Sequence, residues 1–205
     1  MTSLVSIAGI FVSTLVAASP ARTQDTAASH RASYQLEAKG DYAGALAKMK
    51  ALRAAGDKSY FVTLRIAWLR YLGGDYAGAE AGYRAAMAAK PKAIEPKVGI
   101  TPVLYAAGNW KGLEAACKAA LAHLPTDPTL RARLASAHYN LGRFPEAASA
   151  YRRLVEEYPG VLDYQTGFAW ALLRMGKQKE ARAVLQAVLR VSPDNANARQ
   201  GLEEK

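Results

Sequence analysis

Apolar residues fall into two regimes along the chain. From Leu4 to Val16 they are almost continuous, and the small residues Ala17, Ala18, Ser19, Pro20 and Ala21 follow, with the first charged side chain at Arg22. Beyond Thr26 they come in amphipathic runs broken by Gly, Asp and Pro, the pattern of surface helices joined by short turns. The last run, Asn195 to Lys205, places Ala198 and Leu202 on one side and charges on the other, which predicts a short closing helix.

The breaks are periodic. Gly40, Gly74, Gly108, Gly142 and Gly176 recur at an interval of 34, and their neighbours recur with them. Two residues after each stand Tyr42, Tyr76, Trp110, Phe144 and Gln178; five after, Ala45, Ala79, Leu113, Ala147 and Ala181; nine after, Met49, Tyr83, Cys117, Tyr151 and Leu185. Seventeen after stand Asp57, Pro91, Pro125, Pro159 and Pro193, and seven before is always small: Ser33, Ala67, Thr101, Ala135 and Ala169. A glycine just past a helix end takes the left-handed conformation that closes it, and a proline cannot continue a helix. Each unit is therefore a helix, a turn, a second helix and a stop. The small columns let the two helices approach closely, and the aromatic column is expected to fill the gap to the next unit.

Two units depart from the pattern. The first has Asp57 in the proline column and Leu52 where alanine would fit. The third carries Pro96, Gly99 and Pro102. Pro96 suits a first helical turn, but Pro102 falls in the interior, where it removes a backbone bond and clashes with the turn before, so a kink or break is expected there.

In this order and spacing the columns resemble the tetratricopeptide repeat. The resemblance covers about residues 26–195 and implies an all-α fold: a right-handed superhelical solenoid of five antiparallel helix-turn-helix hairpins plus a C-terminal capping helix. The hairpins would be 26–59, 60–93, 94–127, 128–161 and 162–195, with 196–205 as the cap. A single hairpin cannot bury its apolar face, so neighbours stack and the open end needs covering.

The resemblance also implies that the first helix of each hairpin lines a concave groove. The residues six and three before each glycine are then candidates: Tyr34 and Glu37, Trp68 and Tyr71, Pro102 and Tyr105, Ser136 and Tyr139, Trp170 and Leu173. Neighbouring basic and amide positions add Arg31, Arg65, Arg133, Asn140 and Arg174. Aromatic side chains beside Arg suit a peptide-binding surface, since they bury large area and Arg makes paired bonds to carboxylates. Several of these rings could equally pack between hairpins. The family's clamp for acidic chaperone C-termini, built from Lys and Asn, is not matched: its positions hold His30, Tyr34, Leu64, Arg65 and Trp68.

Composition changes this picture little. Hydrophobic residues at 51% suffice for a core, and 21% charged with nine prolines excludes a largely disordered chain. The formal charge of +10 would attract an acidic partner, a membrane surface or a nucleic acid, but the charges are scattered and read as a solvated face. Cys117 is the only cysteine, so no intramolecular disulfide forms; its column predicts a buried, inert thiol. His30, His123 and His138 lack the i, i+4 spacing of a shared metal site, and no nucleotide-binding or nucleophile motif appears. No catalytic residue, metal or cofactor is expected.

The sequence therefore reads as a non-enzymatic scaffold that holds a peptide or helical segment of a protein partner, one with some acidic character, in a groove. An alternative is a basic surface for an anionic polymer: cell-wall material, lipid headgroups or nucleic acid. Residues 1–21 read as a signal peptide cleaved after Ala18 or Ala21, giving a periplasmic or secreted protein in cell-envelope assembly or secretion. The alternative is an anchor through residues 4–18, although that stretch falls short of the ~20 residues a span needs.

Overall fold

A computed structural model describes the backbone of residues 20–204 and the side chains of residues 26–204. The leader and anchor readings fall largely outside the described residues. Eleven helices are found there: α1 (Pro20–Ala38), α2 (Tyr42–Ala54), α3 (Tyr60–Leu72), α4 (Tyr76–Ala89), α5 (Glu95–Ala106), α6 (Trp110–Leu121), α7 (Pro128–Asn140), α8 (Phe144–Glu157), α9 (Leu162–Arg174), α10 (Gln178–Val191) and α11 (Ala196–Glu203). The first helix begins ahead of Thr26, where the repeat pattern starts.

The turn inside every hairpin is built the same way. Gly40, Gly74, Gly108, Gly142 and Gly176 all have φ between 67° and 82°. Each donates its N–H three residues back and the following residue donates five back, as in Asp75 to Arg70 at 2.9 Å, so the last carbonyls of the first helix are satisfied. The second helix then needs its own cap. In the first three hairpins Asp41, Asp75 and Asn109 accept from the amides of Gly44, Gly78 and Gly112 at 2.8, 2.9 and 3.0 Å. A side chain at Gly44 or Gly78 would collide with the capping carboxylate, so cap and glycine come as a pair. The last two hairpins replace both, with Arg143 and Lys177 at the cap and Glu146 and Glu180 in the first turn, where acidic groups favour the helix dipole.

Each helix packs on the next, and the first helices of adjacent hairpins also touch, α3 on α5, α5 on α7 and α7 on α9, while α11 covers α9 and α10. The close approaches run through the small columns: Ser33, Ala67, Thr101, Ala135 and Ala169 are all fully buried, as are Ala45, Ala79, Leu113, Ala147 and Ala181. The core is a chain of clusters along the stack, one joining α2 to α3, one spanning α3 to α7 and one closing α9 to α11. Filling these positions with whole Leu and Met side chains stabilises by roughly 1.5–3 kcal/mol each.

Two expectations are corrected. The aromatic column packs first across its own turn: Tyr76 on Tyr71, Trp110 on Tyr105 and Phe144 on Tyr139, at 6.1, 5.5 and 5.5 Å between ring centres. The tight chain reversal leaves those two columns side by side, and Phe144 is also met from the next hairpin, by Arg174. The predicted break at Pro102 does not occur, and α5 runs through it. The Val98 carbonyl that Pro102 cannot serve accepts the Thr101 hydroxyl instead, at 2.8 Å.

Candidate functional site

The residues six and three before each glycine stand one turn apart on the first helices and share a face. Stacking brings these faces together along one wall of the molecule. A groove of about 770 Å³ runs along it, from Tyr71 on α3 across α5, α7 and α9 to Asn197 and Gln200 on α11. Of the sequence candidates it collects Tyr71, Pro102, Tyr105, Arg133, Ser136, Tyr139, Asn140 and Trp170. Its charged lining is Arg133 and Asp163 alone; the rest is mostly aromatic, hydroxyl and amide, with a few small apolar residues. The net basicity of the chain therefore does not come from the groove.

A smaller depression of about 270 Å³ lies toward the N-terminal end, bounded by Tyr34, Phe61, Leu64, Arg65, Trp68, Tyr83 and Glu95. Here the candidates are engaged with one another. Arg65 is buried, pairs with the Glu37 carboxylate, donates to Ser33 Oγ at 3.3 Å and lies over the Tyr34 ring at 3.9 Å. Trp68 Nε1 donates to Glu37 Oε1 at 2.7 Å. Glu37 thus ties α1 to two side chains of α3. Tyr34 and Phe61 keep about half their surface exposed.

Three candidates stand elsewhere. Arg31 is exposed and borders neither depression. Arg174 is exposed with its guanidinium 5.4 Å from the centre of the Phe144 ring. Leu173 is in the core under α10.

The groove also includes residues that the candidate columns did not contain. Tyr151 comes from a second helix, yet its hydroxyl reaches Ser136 Oγ at 2.6 Å inside the groove. It passes between α7 and α9 because Gly167 leaves room: a Cβ there would sit 2.6 Å from the Tyr151 ring. Burial pushes its phenol up to about 12, so it stays a neutral hydrogen-bonding group. The sequence signal was the pairing of a tyrosine nine after one glycine with a glycine nine before the next, Tyr83 with Gly99 and Tyr151 with Gly167. Asn197 and Gln200 reach the groove from α11, on the side away from buried Ala198.

Cys117 is buried, and burial pushes its thiol up to about 12, out of the reactive range. Among the described residues no group of three or more His, Cys, Asp and Glu could hold a metal ion, and no helix is long and apolar enough to cross a membrane.

A family model described as tetratricopeptide repeat matches residues 15–194. Among solved structures, MamA residues 41–end from Desulfovibrio magneticus is similar with a TM-score of 0.76 at 16% identity, over 88% of this chain and 99% of that one. A tetratricopeptide repeat protein from Parabacteroides merdae gives 0.74 at 16% identity, over 87% and 71%. YrrB, described as a repeat protein of this kind with an unusual peptide-binding site, gives 0.73 at 16% identity, over 89% and 98%. No curated protein matches. The shared fold is the solenoid of hairpins that the family resemblance implied.

Proposed function

The chain belongs to the tetratricopeptide-repeat family, and from that premise we propose that it is a non-enzymatic scaffold holding a segment of a partner protein in its concave groove. The observation that carries this reading is the groove itself. Six helices contribute to one continuous wall rich in Tyr, Trp, Asn, Ser and Thr around a single Arg–Asp balance. Such a surface gives large contact area at low entropic cost, with adaptable hydrogen bonds between the rings. That YrrB is described as having a peptide-binding site supports the same use of the fold.

The apolar run from Leu4 to Val16 and the small residues after it support export, with a role in envelope assembly or secretion. The test has two parts. The N-terminus of the mature protein, determined by mass spectrometry after expression in a Gram-negative host, should begin at Ser19 or Arg22. A partner that co-purifies from the envelope should be lost with Tyr105→Ala plus Tyr139→Ala while circular dichroism is unchanged. Retention of the partner, coupled with a steep loss of binding in salt, would favour the anionic-polymer reading instead.

A further inference from the structure

The two depressions are the same site seen twice. Adding two repeat intervals, 68 residues, to each residue of the small one yields a residue of the large one. Arg65, Tyr83 and Glu95 become Arg133, Tyr151 and Asp163, so the charged and phenolic groups are kept. Each arginine also donates to a buried hydroxyl in the hairpin before it, Arg65 to Ser33 at 3.3 Å and Arg133 to Thr101 at 2.8 Å.

The walls differ in one direction only. Tyr34, Phe61, Leu64 and Trp68 of the N-terminal site are replaced by Pro102, Thr129, Ala132 and Ser136. Every replacement is smaller, which accounts for part of the larger space at the C-terminal site. Glu37 is replaced by Tyr105. Arg65 has a carboxylate partner in Glu37 and a ring beneath it in Tyr34, whereas among the described residues Arg133 has no carboxylate within 4 Å and no ring under its guanidinium. A half-buried guanidinium gains most from a paired carboxylate.

The N-terminal site is thus filled by the chain itself, and its filling shows what the C-terminal site lacks. Deepening the groove reading above and resting on it, we infer that the C-terminal site takes a partner segment that presents a carboxylate to Arg133 and an aromatic side chain to the space beside Ala132, Ser136 and Tyr151. Asp163 does not oppose this, since its counterpart Glu95 borders the N-terminal site together with the Arg65–Glu37 pair.

The test is a display selection of random twelve-residue peptides on the full chain, followed by affinities of the selected peptides made synthetically. The selected set should be enriched in an aromatic residue near Asp or Glu. Exchanging the acid for its amide, or Arg133→Gln in the protein, should each weaken binding about tenfold to a hundredfold. The two changes together should cost no more than either alone, which a mere loss of folding would not produce. Ser136→Trp, which restores the residue found at Trp68, should block binding by occupying the site. Peptides that bind but ignore the acid exchange and Arg133→Gln overturn the inference and leave the groove reading standing. Peptides whose binding survives Tyr105→Ala plus Tyr139→Ala, or a selection that enriches nothing, overturn both.

Discussion

The Thr101 hydroxyl receives a 2.8 Å hydrogen bond from Arg133 Nη1 in the next hairpin and donates at 2.8 Å to the Val98 carbonyl. Pro102 has no N–H for that carbonyl, so one buried hydroxyl both repairs α5 and fastens α7 to it.

Thr101→Val keeps the shape and removes both bonds, and should destabilise by about 1–3 kcal/mol in urea unfolding. Pro102→Ala should recover part of this in the double variant, because the restored N–H serves Val98. Full additivity of the two changes would show that the hydroxyl does not stand in for the missing donor.

Gly167→Ala places a Cβ 2.6 Å from the Tyr151 ring and should cost roughly 1–3 kcal/mol by calorimetry. Combining it with Tyr151→Cys, the residue found one repeat earlier at Cys117, should relieve most of the clash beyond the cost of losing the ring. A penalty that stays the same in both backgrounds would mean the ring is not what excludes the side chain.

Glu114 on α6 accepts from Arg143 Nη1 at 3.0 Å and Lys118 at 2.6 Å, and these bonds, Arg143 first, hold its carboxyl down to about 2. A depressed folded-state value adds stability above the unfolded value near 4.5, and that increment disappears as pH falls from there toward 2. The melting temperature should therefore drop over this window, and drop less in Glu114→Gln. Equal slopes for both proteins would assign the acid sensitivity elsewhere.

Cys117 should resist a disulfide reagent at pH 8 in the native protein and react at the rate of global unfolding, since it is buried with a raised thiol value. Labelling that outpaces unfolding measured by tryptophan fluorescence would show local opening between α6 and α7.

Much of this was legible in the sequence because repetition converts one weak signal into five aligned ones. The five turn glycines, the buried small columns and the α11 cap all follow from spacing. Arg65 and Arg133 looked alike and are not, because their surroundings come from hairpins two helices away: Glu37 and Tyr34 in one case, Tyr105 and Pro102 in the other. Pro102 misled because propensity treats the backbone alone, whereas Thr101 supplies the donor from a side chain. Tyr151 was missed because a column of apolar packing residues hides the one whose length carries it through to the far side.

The position nine after each turn glycine and the one sixteen further on pair in two ways that take turns along the stack: Met49 with Arg65 and Cys117 with Arg133 by spacing, and between them Tyr83 with Gly99 and Tyr151 with Gly167, where the ring lies against the glycine. Excising the single hairpin 94–127 would set Tyr83 against Arg133, where no cavity awaits the ring, while excising 60–127 would set Met49 against Arg133 and reproduce an existing junction. A stack shortened by two hairpins should therefore keep its seams, where one shortened by a single hairpin should not.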